Sequence, residues 1–156
     1  MIGKGKIAGV LVCIIFLTGC ASFSVVEQDR NFQKTFENVG LNKNEIFTKS
    51  LQWLAKTYTD AKEVIEFQDI ESGKIIGRGM STVIFNPTLI APINVNIQYT
   101  LTIDIKDDRL RITFSNFHSN DIGGGNIMED NYLKLEPRLQ ALSLDLYNYL
   151  KTIEEW

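Results

Sequence analysis

The sequence predicts an α+β domain, an antiparallel sheet of about four to five strands with two helices packed on one face. Three observations predict it. Ile93 to Ile105 alternates apolar and polar residues without a break over thirteen positions, the period of a strand with one face buried and one wet. After Asp107-Asp108 the alternation resumes through Leu110, Ile112 and Phe114, as in a hairpin. Two further stretches, about 43–59 and the one opened by Pro137, carry apolar residues at helical spacing. Two amphipathic helices and a one-faced sheet bury their apolar surfaces most economically as two layers. The opposite face of the sheet then stays open to solvent.

The chain begins with a targeting segment. Lys4 and Lys6 precede an apolar run of eleven, Ile7 to Leu17. That run is shorter than the ~20 residues a membrane-spanning helix needs and fits the core of a secretory signal peptide. It ends in Leu17-Thr18-Gly19-Cys20, which resembles a bacterial lipobox: a branched apolar residue, two small ones that let a peptidase approach, then a cysteine. The resemblance to lipoprotein precursors implies cleavage between Gly19 and Cys20. The thiol of Cys20 then carries a diacylglycerol and its new N-terminus an acyl chain such as palmitate. Cys13 leaves with residues 1–19. The mature chain has 156 − 19 = 137 residues and a formal charge of −3 − 2 = −5 once Lys4 and Lys6 are gone. Each buried acyl CH₂ contributes about 0.8 kcal/mol, so two or three chains anchor stably. Ala21 follows Cys20 where an inner-membrane lipoprotein often has Asp. The resemblance therefore implies an envelope protein, anchored in the outer membrane and facing the periplasm.

Residues 20–31 read as a lipidated N-terminus and tether, and 32–156 as a single domain. Phe32 to Val39 is a first strand. Asn42-Lys43-Asn44-Glu45 is a capping box, with Asn42 accepting from first-turn N–H groups and Glu45 reaching back to the cap. Phe47, Leu51, Leu54 and Tyr58, with Ile46 beside them, form the core-facing stripe of the helix over 43–59. Trp53 falls at the edge of that stripe, its N–H expected near water. Glu63 to Ile70 is the next strand, and Glu71-Ser72-Gly73-Lys74 turns it into Lys74 to Phe85. Gly77 and Gly79 inside that strand imply a bulge or a close backbone approach, including approach by a ligand. Asn86 to Pro92 and Ser119 to Asn126 are loops. Pro137 suits the first position of the last helix, where its missing N–H costs nothing. Leu139, Leu142, Leu146, Tyr149, Leu150 and Ile153 make that helix's stripe, and Leu144 points away from it.

Gly40-Leu41-Asn42-Lys43-Asn44-Glu45-Ile46-Phe47, Leu51-Gln52-Trp53-Leu54, Gly73-Lys74-Ile75-Ile76-Gly77-Arg78-Gly79 and the Tyr99 to Phe114 hairpin together resemble a bacterial domain of unknown function with a fold like the TATA-binding protein. The resemblance covers roughly residues 32–115. It implies a curved antiparallel sheet with helices on one side, in a family whose members are often secreted or lipid-anchored. It brings no catalytic residues, and a fold name carries no function.

Composition narrows the function. Hydrophobic residues make up 44% and charged residues 22%, enough apolar material for a packed core and too much for disorder. The net charge is −3 and the Lys and Arg residues are scattered, so no basic face for nucleic acid is expected. His118 is the only histidine. A zinc site needs about three or four ligands, and with Cys20 acylated only carboxylates remain to join it, so no metal, no cofactor and no catalytic residue is expected. Gly123-Gly124-Gly125 lacks the spacing and lysine of a phosphate loop and reads as a linker. Asp104, Asp107 and Asp108 read as an Asp-rich turn. The candidate binding face is the open side of the hairpin: Asn96, Gln98, Thr100, Thr102, Arg111 and Thr113, with Asn94 and Ser115 beside them. Such a row can hydrogen-bond an envelope protein, a peptide or a glycan. The expected function is non-enzymatic binding or scaffolding near the membrane. The alternative is a small envelope hydrolase using His118 beside a hydroxyl or carboxylate.

Overall fold

A computed structural model describes residues 30–58, 64–86, 91–119, 121, 125 and 127–152. Gly19, Cys20, the tether before Arg30, Glu63, Gly123, Gly124 and Ile153 lie outside the described residues. The elements run β1 (Phe32–Glu37), α1 (Lys43–Thr57), β2 (Ile65–Asp69), β3 (Lys74–Phe85), β4 (Ile93–Lys106), β5 (Arg109–His118) and α2 (Glu129–Lys151). The five strands form one antiparallel sheet in the order β1-β5-β4-β3-β2. Both helices pack on one face of it, α1 against β4 and α2 against β1 and β3, and against each other. The expected fold class is borne out.

The alternation of β4 sets the core. Val95, Ile97, Tyr99, Leu101, Ile103 and Ile105 are all buried, and Leu110, Ile112 and Phe114 of β5 lie beside them. The capping box of α1 is present in full: Glu45 N donates to Asn42 Oδ1 at 3.0 Å and Asn42 N donates to Glu45 Oε2 at 2.9 Å. The Asp107-Asp108 turn is spent on the same corner. Lys43 N donates to Asp107 Oδ1 at 2.8 Å and Gly40 N to Asp108 Oδ1 at 2.6 Å. Asp107 therefore satisfies an orphan N–H in the first turn of α1, where negative charge is favoured, and Asp108 ties down the backbone just before it.

Three expectations are corrected. First, Trp53 at the edge of α1's buried face is itself fully buried, and its N–H does not meet water. It is 1% exposed, and its indole N–H donates to Asp145 Oδ2 of α2 at 2.7 Å. The buried face of α1 is Ile46, Phe47, Ser50, Trp53 and Leu54. Leu51 and Tyr58 are only partly buried. The small, fully buried Ser50 sits mid-face, and a serine there disguises the stripe.

Second, α2 starts at Glu129, well before Pro137, which lies inside it. An interior proline removes the bond to the carbonyl four residues back, here that of Leu133. Pro137 and Leu133 are both on the exposed side of α2, Leu133 at 56%. The added turns bury Asn131, Tyr132 and Leu135, and Leu144 is 40% exposed as expected.

Third, Gly77 and Gly79 face the helices. They share the side of β3 occupied by buried Ile75 and Val83. A Cβ on Gly79 would lie 2.3 Å from Tyr99 Cε2, and one on Gly77 would lie 2.9 Å from the Val64 carbonyl oxygen. The close approach is real, but core atoms make it. The bulge lies across the ladder in β2, between Ile65 and Phe67.

Under Tyr99 three hydroxyls converge. Tyr58 Oη is 3.3 Å and Ser81 Oγ 3.5 Å from Tyr99 Oη. Burial, reinforced by the Tyr99 phenol, pushes the Tyr58 phenol well above its ordinary range. A raised phenol keeps its proton in the native state after the unfolded chain has lost it. Native protein then binds more protons above about pH 10, and stability is lost as pH rises, by about 1.4 kcal/mol per pH unit for one such group. Urea denaturation from about pH 9 to pH 12 is expected to show that slope, and Tyr58→Phe to flatten it. Tyr132, raised first by its own burial, leaves a residual slope of the same sign.

Candidate functional site

The face of the sheet away from the helices is built rung by rung from the strand register. Rung by rung from the β4–β5 turn it presents Lys106 and Arg109, with Glu37 beyond. Next come Asp69, Lys74, Asp104, Arg111 and Thr35, then Phe67, Ile76, Thr102, Thr113 and Gln33. Arg78, Thr100 and Ser115 follow, then Met80, Gln98 and His118, and finally Thr82 with Asn96 and Ile84 with Asn94. All six residues expected on the face, Asn96, Gln98, Thr100, Thr102, Arg111 and Thr113, are brought together on it.

Their side chains are partly engaged. Asn96 Oδ1 accepts from Thr82 Oγ1 at 2.7 Å, and the Asn96 backbone N–H donates to Asp121 Oδ2 at 2.7 Å. Thr100 Oγ1 accepts from Asn116 Nδ2 at 3.2 Å. Arg111 donates to Asp104 Oδ2 through Nη2 at 2.8 Å and Nε at 3.2 Å, while Lys74 Nζ lies 3.5 Å from Asp104 Oδ1. Arg78 pairs with Glu66 across the β2 bulge. Asp69 is held below the ordinary carboxylate range by the Ser72 side chain and by the Glu71 and Ser72 backbone N–H groups.

The face is less uniformly polar than the sequence suggests. Phe67, Met80 and Ile84 are 47%, 58% and 51% exposed, and Ile76 is half-buried between Phe67 and Thr102. Phe67 and Ile76 are neighbours across the β2–β3 ladder, and Met80 and Ile84 follow along β3, an interrupted apolar strip beside the polar rows. The signal for it is in β3: Ile76, Met80 and Ile84 recur every fourth residue, with Arg78 and Thr82 between them, on the side opposite Ile75, Gly77, Gly79 and Val83.

His118 stands on the rung of Met80 and Gln98, half-buried, with Nδ1 3.1 Å from the Asn116 carbonyl oxygen. Among the described residues no carboxylate or hydroxyl is hydrogen-bonded to it, so the geometry assembles no nucleophile and base there. The three aspartates part company, Asp104 joining the cations of the open face and Asp107 and Asp108 the backbone before α1. Among the described residues no group of three metal-ligating side chains converges.

Two helices on one side of a five-stranded antiparallel sheet, with no described helix or strand on the other side, define a TBP-like α+β domain. The model of a family described as "Domain of unknown function (DUF4468) with TBP-like fold" matches residues 32–120, and the chain belongs to that family. A TBP-like protein from Parabacteroides distasonis is similar in structure, with a TM-score of 0.64 at 16% identity, covering 84% of this chain and 98% of that one. A DUF4468 family protein from Bacteroides ovatus gives 0.59 at 13% identity, covering 88% and 95%. At those identities the likeness is one of fold. No curated protein matches the chain.

Proposed function

We propose that this chain is an envelope lipoprotein whose domain binds a protein partner through the open sheet face, without catalysis. The observation that carries the reading is the face itself: polar rows from β4 and β5 beside an exposed apolar strip from β2 and β3. Cores of binding patches are apolar and their rims polar, and solvent alone gives no reason for Phe67, Met80 and Ile84 to stand on one surface. The lipobox-like end at Cys20 supports a covalent diacylglycerol and acyl anchor, and Ala21 supports an outer-membrane position facing the periplasm. Arg30 supports a defined exit for the tether. It pairs with Glu129 Oε1 at 2.5 Å and lies 4.7 Å from the centre of the Tyr132 ring, which fixes the chain to α2 just before β1 begins. Nine residues, Ala21 to Asp29, then separate Arg30 from Cys20, ten Cα steps with a reach of at most about 35 Å.

Crosslinking in the native envelope, followed by mass spectrometry, tests both halves. The mature protein is expected to carry acyl chains on Cys20 and to capture a recurrent protein partner. A Met80→Asp, Thr102→Arg variant, changed at an exposed and a half-buried outward position, is expected to remain folded, as checked by its melting temperature, and to lose the partner. Unaltered capture by that variant overturns the binding face, and an unacylated Cys20 overturns the anchor.

A further inference from the structure

The cationic end of the open face sets what the partner presents there. Lys106 and Arg109 stand directly opposite each other at the mouth of the β4–β5 hairpin. Like charges on one rung destabilise a hairpin, and natural sequences break such local rules mainly where function asks it. Asp107 and Asp108 do not relieve the pair on this side, because their carboxylates are turned to the N–H groups of Lys43 and Gly40. Arg109 has only a long contact, its Nε 3.5 Å from Glu37 Oε1, and Lys106 has no ion pair among the described residues. On the next rung Arg111 and Lys74 share the single carboxylate of Asp104. Four cations over two rungs thus face three carboxylates, Glu37, Asp104 and Asp69, of which Asp69 is already engaged by the N–H groups of its own turn. A recess of about 240 Å³ opens among them, lined by residues including Thr35, Ser72, Asp104, Lys106, Arg109 and Arg111.

We infer that this end of the sheet is a carboxylate-binding subsite, and that the partner lays an acidic peptide segment across it with an apolar side chain on Phe67 and Ile76. The inference rests on the open face being the binding surface. Two features select a peptide. The guanidiniums here already hold carboxylates, those of Asp104 and Glu37, so their surroundings suit that group and an incoming acid replaces or extends such contacts. The rung beyond Lys74 and Asp104 is the apolar pair Phe67 and Ile76, about 7 Å further along the strands. A ligand that fills both rungs carries acid and hydrocarbon a few ångströms apart, as a peptide does and an inorganic anion does not.

The test uses the acyl-free mature domain and three probes: an acetylated peptide of three aspartates followed by leucine and phenylalanine, its counterpart with asparagines for aspartates, and inorganic phosphate. The aspartate peptide is expected to bind saturably by calorimetry, to raise the melting temperature, and to weaken as salt rises through the range where the screening length falls below ~10 Å. The asparagine peptide and a Lys106→Gln, Arg109→Gln variant are each expected to lower affinity roughly tenfold or more. With its like-charge rung removed, that variant is expected to melt no lower than the parent. No binding of the aspartate peptide, equal binding of the asparagine peptide, an unaffected variant, or phosphate reproducing the whole shift each overturns the inference. In the native envelope the two readings separate. Capture lost in Met80→Asp, Thr102→Arg but kept in Lys106→Gln, Arg109→Gln overturns the carboxylate subsite and leaves the binding face standing. Capture kept in both overturns the face as well.

Discussion

Gly73→Ala is expected to cost about 2–5 kcal/mol, the sum of a left-handed backbone penalty of ~1–2 kcal/mol and an overpacking penalty of ~1–3 kcal/mol. Gly73 has φ +65°, and a Cβ built there lies 2.3 Å from the Ile105 carbonyl oxygen and 3.4 Å from Lys43 Cδ. The lysine side chain can yield, but the carbonyl cannot. Ile105 N donates to Gly73 O at 2.7 Å, so the two backbones are tied at the point where the methyl would push them apart. Gly40 supplies the comparison. Its φ is +79°, yet its nearest neighbour to a new Cβ is Lys151 Nζ at 3.9 Å. Gly40→Ala is therefore expected to show only the conformational part, about 1–2 kcal/mol. Urea denaturation of both variants measures the difference, and equal losses would mean that contact with Ile105 contributes nothing. Because Lys74 follows Gly73 directly and shares its rung with Asp104, loosening this turn also displaces a cation of the open face. The Gly73 variant is thus expected to bind partner more weakly than its residual folded fraction accounts for.

The same corner shows what a sequence can and cannot disclose. β4, the Asp107-Asp108 turn and the Asn42–Glu45 capping box were legible because each rests on neighbours in the chain: a two-residue period, two turn residues, a cap and its partner three positions on. The burial of Trp53 was not legible because the partner of its N–H, Asp145 of α2, lies far away in sequence. Pro137 marked no helix start because its cost depends on whether Leu133 faces solvent, a property of packing. The binding face divides in the same way. Gln98, Thr100, Thr102 and Thr113 follow from the alternation of one hairpin. The apolar strip and the sharing of Asp104 by Lys74 and Arg111 follow only from the register of β3 against β4 and of β2 against β3. Glycines interrupt β3 on its core side, which hid the recurrence of Ile76, Met80 and Ile84 on its exposed side.

Gly79→Ala is expected to cost about 2–4 kcal/mol, and the reason decides which side of β3 is available to a partner. Gly79 pairs with Tyr99 across the ladder, and an added methyl meets Tyr99 Cε2 at 2.3 Å and Cζ at 2.7 Å. The ring has little room to retreat. Phe114 packs edge-on with centroids 5.4 Å apart, Phe117 stands at 6.3 Å, and the hydroxyl meets Tyr58 at 3.3 Å. Displacing a ring so enclosed forces neighbours off their rotamers, at ~1–3 kcal/mol or somewhat more, and strains the three-hydroxyl cluster. A double-mutant cycle isolates the contact. Tyr99→Leu is destabilising by itself, because a large buried ring is lost, but in that background Gly79→Ala is expected to cost at least about 1 kcal/mol less than in the parent. Strict additivity would show that the ring does not oppose the methyl. Since Gly79 points to the helices, Gly79→Ala studied where it remains folded is expected to leave partner capture unchanged. The neighbouring outward positions, Arg78 and Met80, are where substitutions on β3 reach the partner. A single strand thereby separates two roles by parity: Gly77, Gly79 and Val83 hold the core, while Ile76, Met80 and Ile84 offer the surface.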